Sequence, residues 1–344
     1  AAALSALALA FLSPLLRLIQ TPPEVAEQCG AYLAIVCCGL IATYYYNLCA
    51  AILRAVGNTS AALAILFAAM ALNIVLDLWF VAGMNWGIRG AAWATVISQA
   101  LSAALCFLYL RKALPELLFR REDVGMDGEL LKRSVSYGLL SALHQSSLYI
   151  GKLLVQGAVN SMGTEMIAAY TATTRIEGFA NSIGDSGAAA ASIFTAQNVG
   201  NRNGARTREG FRKSFVLLAA IGLALSVLLY VTARAGVVLM TGETSGTVVD
   251  NGVAYMRLIA WFYVLCYAGN AFVGWFRGLG MVNIPVIGTC FHITVRVILS
   301  WLLIRRMGLS AVALATGIGW VGVVTFQTLV WKLSRRQKRI LEEL

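Results

Sequence analysis

The sequence is poor in charge: Asp, Glu, Lys and Arg together make up 12% of its 344 residues. A soluble domain carries about a quarter charged residues, because its surface must face water. Halving that share excludes an ordinary water-exposed surface and leaves the lipid bilayer as the economical surrounding. The five prolines and short polar gaps leave no room for a sizeable water-soluble domain. Only two histidines are present, on separate apolar segments, which argues against a membrane-embedded enzyme with clustered His, Asp or Glu. The seven cysteines are odd in number and lack the paired spacing of a zinc site, so neither a metal centre nor a disulfide framework is expected. Lying in apolar runs, they read as small packing residues. The loop from Gly200 to Gly204 lacks the Lys-Ser/Thr of a P-loop, which argues against ATP-driven transport.

Hydrophobic residues, in contrast, make up 59% of the chain, and mean hydropathy is +0.75. A membrane span needs about 20 predominantly apolar residues. Ten segments qualify: 1–20, 29–53, 60–82, 88–111, 135–159, 164–195, 213–233, 253–276, 284–304 and 308–331. Helix breakers and charges fill the gaps at Thr21-Pro22-Pro23-Glu24, Gly57-Asn58, 83–90, 200–204 and 242–246. The first residue, Ala1, lies inside an apolar run reaching Leu18 that lacks the basic start and A-x-A exit of a signal peptide, so the sequence reads as beginning within a helix.

Charge placement orients these spans. With the C-terminus on the cytoplasmic side, the inner segments hold 18 of the 27 basic residues, including the clusters Arg111–Arg133, Arg202–Lys213 and Lys332–Arg339. The outer segments hold six: Arg17, Arg89, Arg234, Arg257, Arg305 and Arg306. This threefold bias satisfies the positive-inside rule, so the net charge of +11 requires no nucleic-acid partner.

A long internal repeat adds architecture. Tyr32 matches Tyr255, Asn47 matches Asn270, and Arg54-Ala55-Val56-Gly57 matches Arg277-Gly278-Leu279-Gly280, all at an offset of 223 residues. After a two-residue contraction, the segment from Gly87 to Thr95 matches that from Gly308 to Thr316. Each copy holds the same four helices, and the second is preceded by two more, 135–159 and 164–195. The expectation is an all-α polytopic membrane protein, with ten transmembrane helices drawn from a twelve-helix fold of two six-helix bundles. The predicted organisation is a partial N-terminal bundle over 1–112, a cytoplasmic linker over 113–134, a six-helix bundle over 135–332 and a basic tail over 333–344. Six is even, so the bundles are parallel repeats about an axis along the membrane normal, as in secondary transporters with a site between the bundles near the midplane.

Several stretches resemble the multidrug and toxic compound extrusion (MATE) transporters. They are Pro23-Glu24-Val25 with Tyr32-Leu33, Ile52-Leu53-Arg54-Ala55-Val56-Gly57-Asn58, Asn73-Ile74-Val75-Leu76-Asp77 and the segment from Gly87 to Thr95. In the second half they are Gln156-Gly157-Ala158-Val159-Asn160-Ser161-Met162-Gly163, Ile167-Ala168-Ala169-Tyr170, and Ala196-Gln197-Asn198-Val199-Gly200 followed by Arg206-Thr207-Arg208. The resemblance implies a cation-coupled antiporter exporting drug-like, often cationic, molecules from the bacterial cytoplasm. It implies no enzyme activity and no cofactor, with a proton or sodium gradient as energy source. Expected partners are a small-molecule substrate and the inner-membrane bilayer, with the chain monomeric. Many members of that family bind the coupling cation at an aspartate on a first helix, which has no counterpart here. Others use acids on helices equivalent to 135–159 and 253–276, and neither segment contains one.

Ionisable side chains at membrane depth cost at least a few kcal/mol and usually face a cavity or a partner. In 135–159, Ser141, Gln145, Lys152 and Gln156 share a helix face, with His144 beside it. In 164–195, Glu177, Asn181 and Asp185 step by four, with Arg175 nearby. Low dielectric and a neighbouring cation act on a carboxyl in opposite senses, so Asp185 or Glu177 reads as a coupling acid, or else as one end of a static salt bridge to Lys152. Asn47 and Asn270 occupy equivalent helices and read as cavity-lining residues or interhelical hydrogen-bonders. Asp77 reads as a capping or interfacial residue near a span end, and His292 as a packed polar residue. The alternatives to an exporter are a flippase for a lipid-linked saccharide, which would need a larger cationic cavity, and a helical scaffold without transport.

Overall fold

A computed structural model describes residues 2–12, 14, 23–117, 125 and 127–342. Among the described residues the regular structure is entirely helical, in twelve α-helices. They are α1 (Ala2–Ala10), α2 (Pro23–Ala55), α3 (Thr59–Asp77), α4 (Gly87–Ala113), α5 (Gly128–Asn160), α6 (Thr164–Gly200), α7 (Gly204–Thr241), α8 (Thr247–Ala260), α9 (Tyr263–Gly278), α10 (Asn283–Met307), α11 (Leu309–Leu333) and α12 (Arg335–Glu342). The second half of the expected first span, 15–20, the break at Thr21-Pro22 and the linker residues 118–124 lie outside the described residues. The chain divides into two compact units, 1–125 and 126–344.

The exposed surface is that of a protein in lipid. Leu153, Phe179 and Leu239 are 71%, 74% and 77% exposed, values that would leave a soluble protein with large apolar patches. Six helices (α2, α3 with the turn that follows it, α4, α7, α10 and α11) are long and apolar enough to cross a membrane, seven if the bent pair α8–α9 is one span. The protein is an all-α, polytopic membrane protein. Helices α5 and α6, of 33 and 37 residues, have the length to span as well; the polar stripes already read from their sequences dilute their hydropathy.

In the first unit α2 packs along α4, and Tyr46, Cys49, Ala50, Leu53, Ala103, Cys106 and Leu110 form its core. Helix α2 ends at Ala55, and the turn after it holds Gly57, whose φ of 85° needs the absent Cβ. Asn58 then caps α3, its Oδ1 accepting from Ala61 N at 3.3 Å, while its Nδ2 donates to Tyr109 Oη at 2.8 Å. Helix α3 runs into a π-helical turn, Leu78–Gly83. Asp77 stands at that junction, and the reading of it as a cap is corrected: the carboxylate makes no capping bond because the helix continues through it. Its Oδ1 and the Nδ2 of Asn73 one turn earlier are both buried without a hydrogen-bond partner.

The second unit is built around α9, which packs on α6, α7 and α11. Tyr263, Tyr267, Trp275 and Phe276 of α9 are almost fully buried, as are Tyr255 and Met256 of α8. Close approach of α6 and α9 depends on two glycines. A Cβ on Gly274 would lie 2.7 Å from Ala188 O, and one on Gly278 would lie 2.8 Å from Ser192 O. Small residues at a helix seam are how membrane helices gain packing without a hydrophobic driving force. Helix α5 starts seven residues before the expected span because Asp127 caps it, accepting from Glu129 N at 2.8 Å and Leu130 N at 3.2 Å. Asn203 caps α7 by accepting from Arg206 N at 3.0 Å, and Gly242 (φ 76°) closes that helix.

The single span expected over 253–276 is two helices, α8 and α9, bent by 51°. No proline marks the break. The ring of Phe262 at the bend occupies the space that a side chain on Gly317 of α11 would need, so the bend is packed against α11. The basic tail is also ordered: α12 docks through Gln337, which is 4% exposed. Its Oε1 accepts from Trp275 Nε1 and its Nε2 donates to Trp331 O, both at 3.2 Å.

Candidate functional site

Within the second unit, α5, α6 and α10 line an open cavity of about 720 Å³. Its wall is one face of α6: Tyr170, Thr174, Glu177, Asn181, Asp185 and Ala189 succeed one another at three- and four-residue steps. Helix α5 adds Lys152 and Gln156, again at a four-residue step, and α10 adds Arg296. The periodicity explains the arrangement. Each helix turns its polar stripe inward and leaves Leu153, Leu154 and Phe179 facing outward.

Of the residues singled out from the sequence, the structure therefore brings Lys152, Glu177, Asn181 and Asp185 into one cavity. Others fall elsewhere. Arg175 is two residues from Glu177, roughly 200° around the helix, and lies exposed outside the cavity lining. Gln145 is exposed and does not line the cavity either. His144 is buried, its Nδ1 3.1 Å from an Arg277 guanidinium nitrogen at the end of α9. Asn270 packs its amide against Gly184 of α6, adjacent in sequence to Asp185. Asn47 is exposed on α2 of the first unit. His292 stacks on Trp320 with a ring separation of 6.1 Å.

The charges in the cavity lie near one another without forming ion pairs within 4.0 Å. Among the described residues the ion pair formed is Lys213 with Glu209, at 2.7 Å on the α7 surface; the static bridge from Lys152 to Glu177 or Asp185 is not made. Lys152 Nζ instead lies over the Tyr149 ring, 5.6 Å from its centroid. Glu177 is 6% exposed and its Oε1 has no hydrogen-bond partner.

Two parts of the site carry weak sequence signals. Arg296 is legible as a charge inside an apolar span, but nothing local ties it to α6; its guanidinium donates to Tyr170 Oη at 3.2 Å across 126 residues of chain. The hydroxyls of Tyr255 and Tyr263 are buried behind α6, beside the buried Glu177. Tyrosines within apolar runs look like packing residues until the fold sets them against an acid. The described residues contain no cluster of His, Cys, Asp and Glu able to hold a metal ion.

Comparison with known proteins shows the family. The family model for MatE matches residues 1–79 and 141–302. The probable multidrug resistance protein YpnP of Bacillus subtilis is 24% identical over 315 residues, covering 90% of this chain and 69% of that protein. The probable multidrug resistance protein YoeA of the same organism is 27% identical over 290 residues, covering 82% and 62%. The DNA damage-inducible protein F of Escherichia coli is 26% identical over 243 residues, covering 67% and 51%. The chain thus spans between 51% and 69% of the length of these relatives. Among solved structures, MATE in the bent conformation superposes with a TM-score of 0.89 at 22% identity, over 99% of this chain and 75% of that one. An outward-facing multidrug resistance MATE family transporter gives 0.90 at 22% identity, over 99% and 76%. These likenesses show the fold.

Proposed function

The chain belongs to the MatE family, whose members are transporters and not enzymes, and from that membership we propose that it serves as a cation-coupled secondary exporter of small organic molecules. The observation that carries this reading is the α6 cavity. At about 720 Å³ it has the size of a site for a drug-like ligand, which spans roughly 300–1,000 Å³. Its lining mixes polar groups that orient a ligand with four ionisable side chains that form no ion pair among the described residues. The relatives named as probable multidrug resistance proteins suggest the same class of cargo. Residence in a bacterial inner membrane, with the basic α12 on the cytoplasmic side, completes the proposal.

Energy would come from a proton or sodium gradient acting at Asp185 or Glu177. Neutralising either carboxyl changes the net charge facing the cargo. A bound ion shifts a two-state equilibrium only by its differential affinity for the two states. A group whose pKa differed by two units between inward- and outward-facing states would supply about 2.7 kcal/mol, roughly a hundredfold bias. A complete switch from 1:99 to 99:1 requires about 5.5 kcal/mol, so one such site would leave the remainder to cargo binding. A flippase for a lipid-linked pyrophosphate would call for a predominantly cationic cavity, whereas here Lys152 and Arg296 are matched in number by Glu177 and Asp185.

The test is ethidium efflux from proteoliposomes under an imposed pH or sodium gradient. Wild-type efflux should follow one of the gradients, and Asp185→Asn or Glu177→Gln should uncouple it. Full gradient-driven efflux in both variants would reject the coupling assignment, and absence of wild-type efflux would reject the exporter reading.

A further inference from the structure

A second open pocket, of about 680 Å³, lies in the second unit and is lined by residues other than those of the α6 cavity. Lys132, Ser136 and Tyr137 of α5 form one wall, Asn283 of α10 and Arg336 of α12 another, and Glu129 joins the lining. The Tyr137 hydroxyl donates to Gly280 O at 3.3 Å, which ties α5 to the turn between α9 and α10. Lys132 and Arg336 are exposed, and neither forms an ion pair among the described residues. The apolar span within α5 begins near residue 135, so the pocket sits where polar chain meets hydrocarbon. Further into the span the neighbouring surface is apolar and exposed. Leu139 and Leu143 continue from Ser136 at three- and four-residue steps on α5, and Ile287 and Phe291 continue from Asn283 on α10.

We propose that this pocket binds the phosphodiester headgroup of an anionic phospholipid, with Lys132 and Arg336 on the phosphate and the acyl chains along Leu139, Leu143, Ile287 and Phe291. A cationic pocket that opens onto an apolar ridge matches the two ends of such a molecule, and basic pockets between helices at the headgroup level are how membrane proteins hold acidic lipids. Charge favours a phosphodiester. Two cations and one carboxylate leave the lining with one positive charge, which the single negative charge of phosphatidylglycerol matches. A phosphate monoester carries about −1.5 to −2 at neutral pH, more than the lining compensates. Arg335, Lys338 and Arg339 of α12 add positive potential around the pocket, which disfavours a headgroup ending in a cation. Glu129 supplies an acceptor for the headgroup hydroxyls. Because Arg336 belongs to α12 and Lys132 to α5, one bound lipid joins the C-terminal helix to the start of the second unit.

Native mass spectrometry of the detergent-purified whole chain tests this by titration with phosphatidylglycerol and with phosphatidylcholine of the same acyl chains. Phosphatidylglycerol should bind at least about tenfold tighter. Lys132→Gln and Arg336→Gln should each weaken it about fivefold, the effect of one basic residue near a headgroup, and should narrow the preference over phosphatidylcholine. Arg335→Gln removes the same charge from α12 outside the pocket lining and should stay within about twofold of wild type. All three side chains are exposed, so the variants should fold. Glycerophosphoglycerol, the same headgroup without acyl chains, should bind at least about tenfold more weakly than the lipid. Equal binding of the two lipids, or equal losses in Arg335→Gln and Arg336→Gln, would overturn the assignment. Glycerophosphoglycerol binding as tightly as the lipid would overturn it in favour of a soluble phosphodiester. These variants leave the α6 cavity intact, so the lipid titration and the ethidium efflux assay can each fail without the other.

Discussion

Replacing Gln337 with alanine should release the C-terminal helix from the body of the second unit. The wild-type side chain bridges a buried donor and a part-buried acceptor: it accepts from Trp275 Nε1 and donates to Trp331 O, each at 3.2 Å. The alanine variant keeps both of those groups and removes their common partner. An orphaned buried donor or acceptor costs about 1–3 kcal/mol, so the pair, one of them part-buried, costs about 2 kcal/mol. Ile340 and Leu341 still pack against the aromatic cluster of Phe211, Phe272 and Trp275, and Arg208 still donates to Leu341 O at 3.2 Å. The loss therefore falls on docking of α12 alone. At 1.4 kcal/mol per factor of ten, the undocked population rises about 30-fold. Four basic residues on α12, Arg335, Arg336, Lys338 and Arg339, make that population readable, because trypsin cleaves them once the helix opens. Where opening and closing outpace cleavage, the rate follows the open population, so limited proteolysis should accelerate about 30-fold with the helix core intact. A change of less than threefold would refute the docking energetics.

Other outcomes follow from local geometry. Gly278→Val should force α6 and α9 apart, since its Cβ would sit 2.8 Å from Ser192 O; overpacking costs about 1–3 kcal/mol, and an unchanged melting temperature in detergent would contradict it. Asp127→Ala should remove a cap worth about 1 kcal/mol and raise amide exchange over the first turn of α5, at Glu129 and Leu130, leaving α6 unaffected.

Much of this architecture can be read from the sequence, and the exceptions have physical causes. Composition and charge asymmetry identify a polytopic membrane protein because the bilayer acts on every segment independently. The wall of the cavity is legible for a similar reason: Glu177, Asn181 and Asp185 step by one helical turn, and periodicity is local. Pairings across the fold are not local. His144 meets Arg277 across 133 residues, and Tyr170 meets Arg296 across 126, so nothing in the neighbourhood of either arginine announces its partner. Arg175 illustrates the opposite error: nearness to Glu177 in sequence places it on the other side of α6. The bend between α8 and α9 escapes pattern reading because the apolar run continues unbroken through it, and the packing of Phe262 on Gly317 of another helix is not a local signal. Gln337 looks like part of a solvated basic tail until the fold supplies Trp275.

The account rests on cargo occupying the α6 cavity, and a space-filling substitution tests that most directly. Ala189 lines the cavity, whereas the neighbouring Ala190 is exposed outside its lining. Ethidium affinity, measured by fluorescence on the purified protein, should fall at least tenfold in Ala189→Trp and stay near wild type in Ala190→Trp. Equal affinity in the two variants, with both folded, would contradict the claim that cargo binds there.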